Sequence, residues 1–267
     1  MRSGSTAVSA TVSVIVARLR RAGCVFAEDE AALLITAARD GADLEEMLTR
    51  RVAGLPLEQV IGYAEFCGLR IALEPGVFVP RHRTEFLVQQ AIRLAKPGDM
   101  VVDLCCGAGA IGAGLLASVD GITLHAADVD PTAVRCARRN LTSPAAHVSE
   151  GDLFDALPAS LMGTVNVLVA NAPYVPTDQI PLLPPEAREY EPLGALDGGR
   201  DGLDVHRRIS AAAPRWLSPG GHLLTETTER QAALMVGIMR SDGLVSRVVR
   251  SDEWSATVVI GRRTHSS

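Results

Sequence analysis

The chain has 267 residues, enough for one large domain or a medium domain with a small companion, and 47% hydrophobic against 21% charged content gives a globular protein with a sizeable core. The formal net charge of -5 argues against a broad electrostatic grip on nucleic acid. Five cysteines without a CxxC pair fit a reducing cytoplasm better than a disulfide scaffold, and six scattered histidines without HExxH or HxH spacing give no metal site.

Residues 6–62 read as helices throughout. The segment from Ala7 to Ala17 has the apolar look of a leader. It carries serines and threonines, however, and runs into Arg18, Arg20 and Arg21 without a cleavage site. Val12, Ile15, Val16 and Leu19 fall on one face, which predicts an amphipathic helix. Asp43 with Glu46 has the spacing of a capping box, and Leu57, Val60 and Ile61 predict a last short helix. From Ala64 to Val79 the pattern becomes a hairpin around Gly68, then a turn at Pro75-Gly76. No stretch is long enough to span a membrane.

Beyond Thr84, placed as a helix cap, helices and strands alternate. Strands are predicted at Met100 to Leu104, Ile122 to Ala127, His147 to Ser149, Val165 to Ala170 and His222 to Thr227. Helices are predicted at Ala110 to Ala117, Pro131 to Asn140, and from about Leu203 and Arg230. This alternation implies a mostly parallel sheet wrapped on both faces. Two last strands, near Val245 to Arg250 and Ala256 to Gly261, have no helix between them and should pair antiparallel at one edge.

A glycine turn links the first of these strands to its helix. Gly107, Gly109 and Gly112 match GxGxxG, a weak signal alone. Asp128 ends the next strand about twenty residues on, where an acid can accept two ribose hydroxyls. Asp152 follows the third strand, where it could accept from an adenine amino group. Asp103 is a carboxylate at a strand position that dinucleotide folds keep apolar. It suits the cationic ammonium end of S-adenosylmethionine better than a pyrophosphate. Asp130, before Pro131, reads as a cap only.

Asn171-Ala172-Pro173-Tyr174 falls at the carboxyl end of a central strand, where open α/β sheets place their sites. An amide nitrogen is a poor nucleophile and needs acceptors that hold its NH₂ as charge develops. The Asn171 side-chain oxygen and the Ala172 carbonyl can supply two, and Tyr174 can cover the amide plane. Read alone, the same residues are also an ordinary turn after a strand.

On these residues the chain resembles the HemK-like family of protein-(glutamine-N5) methyltransferases. The resemblance covers nearly the whole length: Pro56 to Gly62 is like the family's domain junction, and Val79 to Glu85 like its Pro-Arg-Pro-x-Thr-Glu segment. Asp103 to Gly109 is like its cofactor loop and Asn171 to Tyr174 like its Asn-Pro-Pro-Tyr; Glu191-Pro192, Ala195 to Gly199 and Asp201 to Leu203 resemble the segment that follows. The resemblance implies a Rossmann-like domain of seven strands over residues 80–267, a helical substrate-recognition domain over 1–63, and a hairpin linker over 64–79. It implies S-adenosylmethionine contacts from Asp103, Cys105, Gly107, Gly109, Ile111, Asp128, Val129, Asp152, Leu153 and Asn171. Substrate contacts would come from Arg81, Thr84, Glu85 and Tyr174, and catalysis from Asn171, Ala172, Pro173 and Tyr174. The implied partner is a cytoplasmic protein with an exposed glutamine, a peptide chain release factor among the candidates.

Three departures imply a diverged paralogue. Ala172 stands for a proline, His82 and Arg83 for a proline and usually an acid, and Cys105 and Cys106 for smaller or hydroxyl residues. The alternatives are an adenine-N6 methyltransferase, which shares the Asn171 to Tyr174 element, and an oxidoreductase, which leaves that element unused. A non-catalytic cofactor-binding protein is the third.

Overall fold

The structure, a computed structural model, describes the backbone of residues 3–264 and the side chains of residues 12–264, so the side chains of Ala7 to Thr11 lie outside the described residues. Four helices come first: α1 (Ser3–Arg21), α2 (Ala27–Ala37), α3 (Gly41–Val52) and α4 (Leu57–Ile61). Ile15, Val16 and Leu19 of α1 point inward as the spacing predicts. With Leu34, Met47 and Leu48 they form a core separate from that of the sheet. The cap of α3 is Asp40 rather than Asp43: Asp40 accepts from the Ala42 and Asp43 backbone at 2.9 Å each. Asp43 lies one turn inside and is engaged by the backbone and guanidinium of Arg39.

The hairpin forms as β1 (Tyr63–Phe66) and β2 (Leu69–Ala72). Its turn, Cys67 (φ 51°) and Gly68 (φ 71°), has both residues in the left-handed region, which matches the strand twist. Phe66 and Ile71 of the hairpin are buried in the sheet's own core. The chain then enters α5 (Glu85–Ile92) through a 3-10 turn, and Thr84 makes no capping bond.

The alternating region follows as β3 (Met100–Leu104), α6 (Ala110–Ser118), β4 (Thr123–Asp128), α7 (Pro131–Asn140), β5 (Ala146–Glu150) and β6 (Val165–Ala170). Two short helices, α8 (Pro185–Tyr190) and α9 (Leu193–Leu196), interrupt the long connection to α10 (Asp204–Trp216). The chain ends with β7 (Leu217–Thr227), α11 (Glu229–Ser241), β8 (Leu244–Ser251) and β9 (Ala256–Arg263). The seven strands run β5-β4-β3-β6-β7-β9-β8, parallel except for β9, which inserts antiparallel between β7 and β8. Two apolar cores cover the two faces of the sheet, as in other doubly covered parallel sheets. No helix among the described residues is long and apolar enough to cross a membrane.

The sheet's order reverses between β3 and β6, which pair in parallel with Leu104 opposite Ala170. The segments that follow these strands, Cys105 to Gly109 and Asn171 to Tyr174, therefore emerge side by side. That is the switch point at which open α/β sheets bind ligands.

Candidate functional site

After β3 the backbone takes positive φ at Cys105 (57°), Gly107 (54°) and Gly109 (78°). The Gly107 N–H donates to Asp128 Oδ2 at 2.8 Å, while the Asp130 N–H donates to Asp128 Oδ1 at 2.9 Å. Burial raises the Asp128 carboxyl above its ordinary range. Asp130 itself caps α7 through the Thr132 N–H, as its sequence position indicates.

A cleft of about 300 Å³ opens above this loop, within the range of small-ligand sites. Of the residues assigned to cofactor, Cys105, Gly107, Asp128, Val129, Asp152 and Leu153 line it, with Phe78 and Arg208. Asp152 is not a free acceptor, because Arg208 donates to it at 2.7 Å across a half-exposed pair. Gly109 turns away from the cleft: a Cβ there would meet Leu141 at 3.0 Å, so this glycine serves the packing of α6 on α7. Asp103 lies wholly buried beneath the loop. Its Oδ2 accepts from the Gly112 N–H at 3.1 Å and its Oδ1 has no partner. Burial pushes its carboxyl up to about 7. Its charge thus acts from under the loop rather than from the cleft wall.

A second cleft, of about 350 Å³, is lined by Arg81, Arg83, Asn171, Tyr174 and Glu191, together with Pro56 and Glu58 from the N-terminal helices. Between the two lies a narrow cavity of about 40 Å³ lined by Cys105, Gly107, Ile111, Thr84 and Asn171. Cys105 and Gly107 belong also to the first cleft and Asn171 to the second, so the narrow cavity adjoins both. Asn171 Nδ2 donates to the Thr84 hydroxyl at 3.3 Å, and its buried Oδ1 has no partner. Thr84, expected as a helix cap, instead orients this amide. Arg81 pairs with the buried Glu191 at 2.5 Å, tying together two segments 110 residues apart. Glu85 lines none of these clefts; its carboxylate meets the His82 ring at 2.8 Å. Ala172 is buried, and Pro173 faces the first cleft.

Sequence reasoning misses what holds Tyr174. Its hydroxyl donates to Glu226 Oε1 at 3.0 Å and accepts from Arg83 at 2.6 Å. Arg83 also donates to Glu226 Oε1 at 3.2 Å. Gln231 Nε2 donates to the Tyr174 carbonyl at 2.8 Å and the Asp201 carbonyl at 3.0 Å. The one available signal for Glu226 was an acid ending an apolar strand. Gln231 reads only as the third residue of a capping box with Thr228, which it also is.

A family model described as "Methyltransferase small domain" matches residues 68–181. A release factor glutamine methyltransferase of Geobacter sulfurreducens is 37% identical over 219 residues, covering 81% of this chain and 76% of the relative. A 4-amino-L-phenylalanine/4-methylamino-L-phenylalanine methyltransferase of Streptomyces pristinaespiralis is 37% identical over 201 residues, covering 73% of this chain and 68% of the relative. Among solved structures, a methyltransferase from Pyrococcus furiosus superposes with a TM-score of 0.59 at 17% identity, covering 81% of this chain and all (100%) of the other. This last likeness concerns the fold alone.

Proposed function

The chain belongs to the release factor glutamine methyltransferase family, and from that premise we propose that it methylates the side-chain amide nitrogen of a glutamine in a protein substrate, using S-adenosylmethionine. A peptide chain release factor is the first candidate substrate. The observation that carries this reading is the buried, unpartnered oxygen of Asn171, a residue that lines both the narrow cavity and the second cleft.

The residues present fit the cofactor. Asp128 accepts one backbone N–H on each oxygen and keeps lone pairs for two ribose hydroxyls. Asp103 keeps an unpartnered oxygen near the narrow cavity's loop, a counter-charge for an ammonium group. S-adenosylmethionine supplies a methyl group activated by its sulfonium. Asn171 Oδ1 and the Ala172 carbonyl accept from the substrate NH₂, and fix the nitrogen for in-line attack. Tyr174, anchored by Glu226 and Arg83, covers the amide plane. No strong base is needed, because a methylated amide nitrogen loses its proton readily. Pro56 and Glu58 in the second cleft support a role for the N-terminal helices in gripping the protein substrate.

The Streptomyces pristinaespiralis relative favours a second reading, in which the acceptor is the aryl amine of a free amino acid. Incubation of the enzyme with labelled cofactor and either a peptide chain release factor or 4-amino-L-phenylalanine separates the two. Mass spectrometry should locate the label on a glutamine of the protein. Label only in the small molecule would reject the proposal.

A further inference from the structure

Beyond Tyr174 lies a further cleft of about 470 Å³, walled by the carboxyl end of β7 and the turn between β8 and β9. It shares Arg83 and Tyr174 with the acceptor cleft, so the two adjoin at these residues and together make a groove-like surface. The groove is acidic. Arg81, Arg83 and Arg250 line it against Glu58, Glu186, Glu191, Glu226, Glu229 and Asp252.

Pairing leaves an excess of negative charge. Arg81 takes Glu191, Arg83 takes Glu226 and Arg250 takes Glu229, while Arg51 from the N-terminal helices takes Glu186. Glu58 and Asp252, one in each cleft, have no ion-pair partner among the described residues. Glu226 is 2% exposed, and both Arg83 and Tyr174 use its Oε1. Its Oε2 has no partner, nor has the hydroxyl of the neighbouring Thr227, which lines the same cleft. A buried carboxylate oxygen without a donor is costly unless a ligand supplies one.

We propose that this surface takes the polypeptide flanking the acceptor glutamine, and selects a segment with a basic side chain beside that glutamine, its cation entering the further cleft toward Glu226 and Asp252. The inference rests on the glutamine reading above. It adds a charge preference that the glutamine itself does not require.

The test uses the full-length enzyme and three glutamine peptides that differ only in carrying lysine, alanine or glutamate beside the glutamine. At low salt the lysine peptide should exceed the glutamate peptide in kcat/KM by about tenfold or more, and added salt should narrow the gap. The exposed variant Asp252→Asn should turn over the alanine peptide as the native enzyme does, yet show a smaller lysine preference. Glu226→Gln, which keeps an acceptor for Tyr174, should reduce that preference further. Equal turnover of all three peptides overturns the groove proposal alone. So does a lysine preference that survives both substitutions. Failure to methylate any of the three overturns the glutamine reading, and this one with it.

Discussion

Asn171 does two things with four atoms. Its Nδ2 is committed to Thr84, which fixes the direction in which Oδ1 points. Asn171→Ala should therefore remove an acceptor that matters only as charge develops on the incoming nitrogen. Methyl transfer should fall on the order of 100-fold or more, while calorimetry shows cofactor affinity nearly intact. A variant with near-normal turnover would sink the mechanism. Asp103 makes a different kind of statement. The unfolded carboxyl titrates near about 4, whereas burial holds it at about 7 in the fold. As pH rises through this window the unfolded chain loses its proton first. The folded state binds the extra proton, so this group's contribution falls with pH. His206 acts oppositely over a similar window, since burial lowers it to about 4 and costs stability as pH drops. The two separate in a difference experiment. Asp103→Asn keeps an acceptor for the Gly112 N–H and does not titrate. Without cofactor it should match the native protein near pH 4 and exceed it near pH 8, by a gap of about a few kcal/mol at most. Thermal melts at the two pH values that show a constant difference would reject the assignment.

At the scale of elements, the connection between β6 and α10 is tied to several other elements, and Gln231 makes two of those bonds from the first turn of α11. Gln231→Glu keeps an acceptor for the Thr228 backbone but sets a carboxylate against the carbonyls of Tyr174 and Asp201. The loss should be about 2–4 kcal/mol of stability, the scale of unsatisfied buried groups, with a fall in kcat larger than any change in cofactor affinity. Unchanged kcat in this variant would show that the connection does not position Tyr174. The same region marks the limit of what a sequence shows. Pro131 to Asn140 is legible as a helix to the residue, because Asp130 and Pro131 announce its start locally. The strands β3 and β6 are legible because apolar runs buried on both faces have no other use. The helices α8 and α9 are not, being six and four residues long and stabilised by distant contacts such as Tyr190 to the Ala53 carbonyl. β7 begins five residues before the predicted strand, at Leu217, because Pro219-Gly220 reads as a turn. Asp128 and Asp152 are visible because each lies within two residues of a strand's end. Glu226 is hidden because its partners, Arg83 and Tyr174, lie 143 and 52 residues away.

For the whole molecule, the question is whether the N-terminal helices cover the sheet or complete the site. They have a core of their own, and polar bonds tie them to the rest: Gln59 to the Val77 carbonyl, Arg51 to Glu186, and Tyr190 to the Ala53 carbonyl. The hairpin, not the helices, shares the sheet's apolar core through Phe66 and Ile71. A chain beginning at Ala64 would thus expose little of that core, and would keep every residue of the first cleft. It would lose Pro56 and Glu58 from the acceptor cleft. Gln59 and Arg51 would leave behind an unpaired Val77 carbonyl and a freed Glu186, a modest cost at a surface. The truncated protein should therefore fold and bind S-adenosylmethionine with nearly native affinity, while its kcat/KM on an intact protein substrate drops mainly through KM. Aggregation or loss of cofactor binding would mean that the helices serve as a cover for apolar surface. Native kcat/KM after truncation would remove the recognition role altogether.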